Sequence, residues 1–310
     1  MAQCWVARIL FNQTMLPKFQ LAGRRVAALI LAASCFTAAT PQALGHGDLH
    51  ERILTLTQQI QANSPNAELW LQRADLGRQH GDFIRATADA AEAARLNPDW
   101  PAAVLERARI QFDAGQFTAA VESATACLRL DRANPDALVI RARGRAQLGL
   151  LAGAVADYNG VLAPTNGPRP LPDLYLERAR AQAALGKFTA AVLGLEEGMA
   201  RIGETPSLAL PALEYERASG DFTAALKRVE RVQKFFAPEN FRALRGEVLL
   251  QSNRRAEAQT NFLAGLTAIE NYSPARRELP LTRELEARLR DGLRQASLPH
   301  SIKTNPAYAK

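Results

Sequence analysis

Leu105-Glu106-Arg107-Ala108-Arg109, followed by Gly115 and by Phe117-Thr118-Ala119-Ala120, returns later as Leu176-Glu177-Arg178-Ala179-Arg180, Gly186 and Phe188-Thr189-Ala190-Ala191. These blocks belong to a recurrence of about 34 residues that covers most of the chain. Periods of this size mark a solenoid, whose units bury their apolar faces only by stacking on one another. Such arrays hold partners more often than they run chemistry.

The composition fits. Hydrophobic residues make up 47% of the 310, ample for a core, and many are alanines that suit close helix packing. Aromatics reach only 6%, which argues against an aromatic-lined pocket for sugars or bases. The formal charge is +7, from 38 basic and 31 acidic residues. Four of the basic residues, Arg8, Lys18, Arg24 and Arg25, lie in the acid-free stretch 1–45, so the remainder carries 34 against 31. Spread over a long array, that balance describes a solvated mixed-charge surface, and no nucleic-acid partner is expected.

Residues 1–45 read as an export leader. Lys18, Arg24 and Arg25 precede the apolar run Val26–Ala33, and small residues follow, in the order of a secretory signal. The run falls short of the roughly 20 residues that span a bilayer. Ala43-Leu44-Gly45 offers a small-x-small exit, so the mature chain is expected to begin at His46, in the periplasm or envelope. Met15 would make a more typical start than Met1. A second reading competes. Ala32-Ala33-Ser34-Cys35 resembles a bacterial lipobox, although Leu usually stands where Ala32 does, and lipidation at Cys35 is the one route by which a membrane contact is expected. The Arg24-Arg25 pair invites twin-arginine export, but Val26-Ala27-Ala28 lacks the flavour of that signal. Cys4 and Cys35 fall in the leader. Cys127 stands alone in the body, so no internal disulfide is available and it reads as a small core residue.

After the leader, Asp48 is placed to cap a helix over about 49–62, with Ile53, Leu56 and Ile60 on one stripe. Asn63-Ser64-Pro65-Asn66 breaks it. From Ala67 the phase is regular. The stretch 67–100 carries Trp70, Ala74, Gly81, Phe83, Ala86, Ala93 and Pro98. The next, 101–134, carries Val104, Ala108, Gly115, Phe117, Ala120 and Cys127 in the same places. A third unit from Pro135 carries Leu138, Ala142, Gly149, Leu151 and Ala154, and a fourth from Pro172 carries Tyr175, Ala179, Gly186, Phe188 and Ala191. Small residues at the eighth and twentieth places let two helices approach. Gly at the fifteenth ends the first helix in a left-handed conformation, and Pro near the end stops the second.

This pattern resembles the tetratricopeptide repeat family, strongly over four units and more loosely over two others between about 206 and 274, where Pro211 is expected to interrupt a first helix. The resemblance implies an all-α, right-handed solenoid of antiparallel helix pairs. The domain reading is a leader over 1–45, a capping helix over 46–66, repeats one to three over 67–164 and repeat four over 172–204. Degenerate repeats follow over 206–274, then a C-terminal capping helix over 279–297 with Leu285, Leu289 and Leu293 on one face, and a disordered tail over 298–310. Inserts at 165–171 and 202–207 are expected as surface loops.

Two sets of arginines stand out. At the seventh place of each unit sit Arg73, Arg107, Arg141 and Arg178; Asp89 lies 16 residues after Arg73 and Asp157 lies 16 after Arg141. In the helix-pair geometry these face each other, so Arg73–Asp89 and Arg141–Asp157 are expected as ion pairs between the helices of a repeat. Arg107 and Arg178 meet Ser123 and Gly194 and need other partners. At the ninth place sit Arg109, Arg143 and Arg180. The family resemblance puts the second, fifth, ninth and twelfth places on a concave surface, which here would hold Leu105, Arg109, Phe112, Val139, Arg143, Leu176 and Arg180. Such a row could grip a peptide or protein partner; local pairing with Glu106 and Glu177 is the other reading.

No chemistry is legible beyond this. His46 and His50 with Asp48 and Glu51 match no metal-site spacing and read as solvated residues, and His80 precedes a turn. G-x-S-x-G, a phosphate-binding glycine loop, H-E-x-x-H and paired cysteines are absent from the sequence. The expectation is a non-enzymatic envelope scaffold without metal or cofactor. The alternatives are a structural or lipid-anchored part of an envelope assembly, or an accessory subunit of a separate enzyme.

Overall fold

A computed structural model describes residues 43–163 and 171–298. The leader before residue 43, with Cys35, lies outside the described residues, as does the tail beyond 298; the expected exit Ala43-Leu44-Gly45 falls in the first turn of a helix. No strand occurs among the described residues. A first helix α1 (Ala43–Ala62) leads into six pairs: α2 (Ala67–His80) with α3 (Phe83–Leu96), α4 (Pro101–Asp113) with α5 (Phe117–Leu130), and α6 (Pro135–Gln147) with α7 (Leu151–Leu162). Then come α8 (Pro172–Ala184) with α9 (Phe188–Ile202), α10 (Pro206–Ser219) with α11 (Phe222–Val232), and α12 (Pro238–Gln251) with α13 (Arg255–Glu270). A one-turn helix α14 (Pro274–Arg277) precedes the last helix, α15 (Pro280–Ser297).

Local chemistry sets each pair. Pro101, Pro135, Pro172, Pro206 and Pro238 open first helices, where the missing N–H would have had no partner. Asp82 and Asp221 cap second helices through the N–H groups of Arg85 and Ala224. The turn between paired helices takes one residue at positive φ. It is Gly81, Gly115, Gly149, Gly186 and Gly220 in five repeats and Asn253, at φ 62°, in the sixth. Between α2 and α3, Ala74 and Ala86 have no exposed surface, and Ala142 with Ala154 and Ala179 with Ala191 repeat the arrangement.

Each second helix packs on its own first helix and on the first helix of the next repeat. Successive first helices also touch, α2 with α4, α4 with α6 and α8 with α10, without comparable contact between successive second helices. The first helices therefore form the inner, tighter wall of the solenoid. The longest run of core extends from Ala142 to Val248, with Tyr158, Tyr175, Leu195, Leu208 and Leu213 fully buried. At the far end α15 lays Leu285 and Leu289 against Phe262 of α13. Arg255 Nη1 of α13 donates to the carbonyls of Gln295 and Leu298, and Gln259 Nε2 to that of Ala296, so the last carbonyls of α15 are satisfied from the side.

Three local expectations are corrected, and one element is added. Asp48 does not cap a helix, because α1 already runs from Ala43. Pro211 does not interrupt α10: it removes one N–H near the start of a helix whose Leu208, Ala209, Ala212 and Leu213 are all fully buried, and that packing outweighs the lost bond. The loop expected over 202–207 shrinks to 203–205, since α9 reaches Ile202 and α10 starts at Pro206. Finally, α14 was not foreseen; Ser273 caps it and its Arg277 Nε donates to the Tyr272 carbonyl.

Candidate functional site

The inner wall is lined by charged residues, and most are committed to one another. Within repeats, Arg73 donates to Asp89 through Nε and Nη2, both at 2.7 Å, and through Nη1 to Thr57 of α1 at 3.0 Å. Arg141 donates to Asp157 at 3.0 and 2.6 Å, and Arg145 adds a third bond at 2.7 Å. Asp89 and Asp157 are buried. The hydrogen bond to Asp89, reinforced by its charge, raises the Arg73 guanidinium further above its ordinary value, against the opposing effect of burial. Arg107 finds Ser123 Oγ at 3.1 Å. Arg178, where Gly194 supplies no side chain, donates instead to the Gly194 carbonyl, to Glu197 at 2.7 Å and to Asn159 of the preceding repeat at 3.1 Å. A Cβ on Gly194 would lie 3.0 Å from Arg178 Nη2, so the guanidinium occupies the place of the missing side chain.

The fifth repeat inverts this arrangement. Arg228 of α11 donates to Glu216 of α10 at 2.8 and 2.6 Å and meets Glu196 of α9 at 2.7 Å. Arg228 and Glu216 are both buried.

Between repeats, first helix is tied to first helix. Arg78 donates to Glu106 at 2.8 Å and to Asp113 at 2.7 Å. Glu106 also accepts from Arg109, which reaches on to Asp136 at 2.5 Å. Arg143 takes Glu177 at 2.9 Å, and the buried Tyr158 hydroxyl donates to the same carboxylate at 3.0 Å. Burial, with Glu177 alongside, pushes the Tyr158 phenol well above its ordinary value. Arg217 bonds Gln251 at 2.8 Å, and Arg288 of α15 pairs with Glu247.

The seven residues expected on a concave surface do not behave alike. Leu105 is corrected: it is buried with Cys127, Leu128 and Ala137, because the next repeat stacks over it. Phe112 rests against Phe117, ring centres 5.5 Å apart. Val139 and Leu176 are half-buried beside the main core. Arg109 combines local pairing with Glu106 and a link to the next repeat, whereas Arg143 pairs across repeats. Arg180 is exposed. Among the described residues no group of three or more potential metal ligands occurs, and no helix is long and apolar enough to cross a membrane.

A solved structure of the C-terminal part of a TPR repeat-containing protein from Cytophaga hutchinsonii is similar to this chain. The TM-score is 0.53 and the identity 12%, over 82% of this chain and 92% of that one. A tetratricopeptide repeat protein from Parabacteroides merdae matches with a TM-score of 0.49 and 18% identity, over 80% and 94%. A structure of pilF from Pseudomonas aeruginosa matches with 0.48 and 14%, over 71% and 96%. No protein-family model and no curated protein matches the chain. The chain is an all-α repeat solenoid, and its fold is that of the tetratricopeptide repeat proteins.

Proposed function

We propose that this protein is a non-enzymatic interaction scaffold of the bacterial cell envelope, receiving a peptide or protein segment along the inner wall of its first helices. The observation that carries this reading is the tying of that wall from repeat to repeat. Arg78–Glu106, Arg109–Asp136, Arg143–Glu177 and Arg217–Gln251 link successive first helices. A wall held in register before binding loses little freedom when a partner arrives, so contact energy is kept for affinity. Val139, Leu176, Ala146 and Ala183 are half-buried along it and offer apolar contact. The test compares the full chain with an Ala146→Trp/Ala183→Trp variant for retention of solubilised envelope proteins. A protein held by the first and lost from the folded second supports the wall as the site; equal retention overturns it.

Export rests on the charge, apolar and small-residue order before residue 46. The second reading, a structural or lipid-anchored component of an envelope assembly, rests on the resemblance of Ala32-Ala33-Ser34-Cys35 to a lipobox. Labelled palmitate incorporated by the wild type and not by Cys35→Ser supports the lipid anchor, and no incorporation by either ends it.

A further inference from the structure

The third and fourth repeats stand apart along the edge of the solenoid where each first helix turns into its second. Their turns carry Leu148, Leu150 and Leu185, exposed by 39, 56 and 38%. α8 packs antiparallel on α7, which sets Leu185, after α8, at the same edge as Leu148 and Leu150, before α7. The tips are held firmly. Leu148 N–H donates to the Gly144 carbonyl at 3.1 Å and Leu150 N–H to that of Arg145 at 2.8 Å. In the fourth repeat Leu185 N–H donates to Ala181 at 3.2 Å and Lys187 N–H to Gln182 at 2.9 Å. With these N–H groups satisfied inside the turn, apolar surroundings cost them little.

Charge separates these turns from their neighbours. From Gly144 to Ala154 and from Ala181 to Ala191 the only charged residues are Arg145 and Lys187. Arg145 is held by Asp157, and Lys187 is exposed. The first turn has Asp82, the second Asp113, the fifth Glu216 and Asp221, and the sixth Glu257. Asp82 and Asp221 cap their helices, whereas no side chain caps α7 or α9. The edge is thus leucine-tipped, acid-free and positive. Three leucine tips fall far short of the ~800 Å² that a stable protein interface buries on each partner. A lipid leaflet needs only a few apolar side chains below its headgroups, with a cation beside them.

We propose that this edge docks on an anionic phospholipid surface, with Leu148, Leu150 and Leu185 inserted among the acyl chains and Lys187 at the headgroup phosphates. The contact uses neither Cys35 nor the inner wall, so it goes beyond the inner-wall reading and stands or falls apart from it.

The test uses the full chain with Cys4→Ser and Cys35→Ser, which leaves the fully buried Cys127 as its one native thiol. An environment-sensitive fluorophore is attached at Leu148→Cys or, as control, at Leu263→Cys on a second helix. Vesicles of phosphatidylglycerol and phosphatidylethanolamine carry a spin-labelled lipid as quencher, and vesicles of phosphatidylcholine are compared. The Leu148 label should shift to the blue and be quenched on the anionic vesicles, and the Leu263 label should stay in water. Lys187→Gln should raise the lipid concentration for half-maximal quenching about fivefold, the scale of one basic residue at an anionic surface. Leu150→Gln with Leu185→Gln should abolish the quenching and, at exposed positions, leave Tm unchanged. A Leu148 label that stays in water overturns the docking, even on vesicles that hold the protein through its leader. Equal quenching of the two labels, or equal quenching on phosphatidylcholine, overturns it as well. A blue shift without vesicles that grows with protein concentration would name a second copy of the chain as the occupant, and also overturns it.

Discussion

Arg228 reaches Glu216 across twelve residues, and Arg145 reaches Asp157 across the same twelve with the signs exchanged. In the third repeat the buried acid lies on the second helix; in the fifth the buried base does. Both solutions satisfy a charge between two helices, but the fifth also recruits Glu196 from the repeat before it. Glu216→Ala leaves Arg228 buried with only the more exposed Glu196, and should lower stability by about 3 kcal/mol in urea unfolding. Exchanging the pair, Glu216→Arg with Arg228→Glu, should not restore it, because the new acid would face Glu196. Full recovery in the exchanged variant would show that Glu196 is no part of the network.

Asp157 accepts from two arginines, so its removal and theirs are not equivalent. Asp157→Ala should cost about 3 kcal/mol, since it strands Arg141 and Arg145 together. Arg141→Ala should cost less, because Arg145 still satisfies the carboxylate. Urea midpoints of the two variants check the order, and the reverse order would place Arg145 outside the pair.

Alkaline pH should act through Tyr158. Its folded pKa lies above the ordinary value of 10.0, raised by burial and then by the adjacent Glu177. The stability this contributes is complete below pH 10 and is lost as the pH climbs from there toward the folded value. Tyr158→Phe should lose about 1 kcal/mol at neutral pH with its hydrogen bond to Glu177, and then decline less steeply above pH 10. Melting curves between pH 8 and 11 measure both effects, and parallel declines for the two proteins would refute them.

The turn of the sixth repeat depends on Asn253. Asn253→Gly should be tolerated, while Asn253→Val should cost about 1–2 kcal/mol by forcing a branched side chain to positive φ. A neutral Asn253→Val would mean that the turn rearranges.

Much of this was legible from spacing. The fifteenth-place glycines, the small residues at the eighth and twentieth, and the offset of 16 that sets Arg73 against Asp89 all lie inside one repeat, where helix geometry alone fixes who meets whom. Contacts between repeats were less legible. Arg143 meets Glu177 one full period away, which depends on how tightly successive first helices stack, and no single repeat carries that information. The same stacking buried Leu105. The Glu216–Arg228 pair hid behind Ala212, which leaves the seventh place uncharged, although Arg228 occupies the place held by Asp89 and Asp157 in their repeats. Asn253 was missed because its repeat lacks the usual glycine. Arg180 reads in sequence like Arg109 and Arg143; only the structure shows that its neighbour carboxylate is taken.

The most direct test of the inner wall is site-specific photocrosslinking in cells. A photoreactive residue is placed at Ala146 or Ala183 on first helices, and at the exposed Leu193 or Leu263 on second helices. A discrete crosslinked partner from the first-helix positions and none from the second-helix positions is the predicted result. Crosslinks confined to Leu193 or Leu263 would put the interface on the outer face and contradict the account.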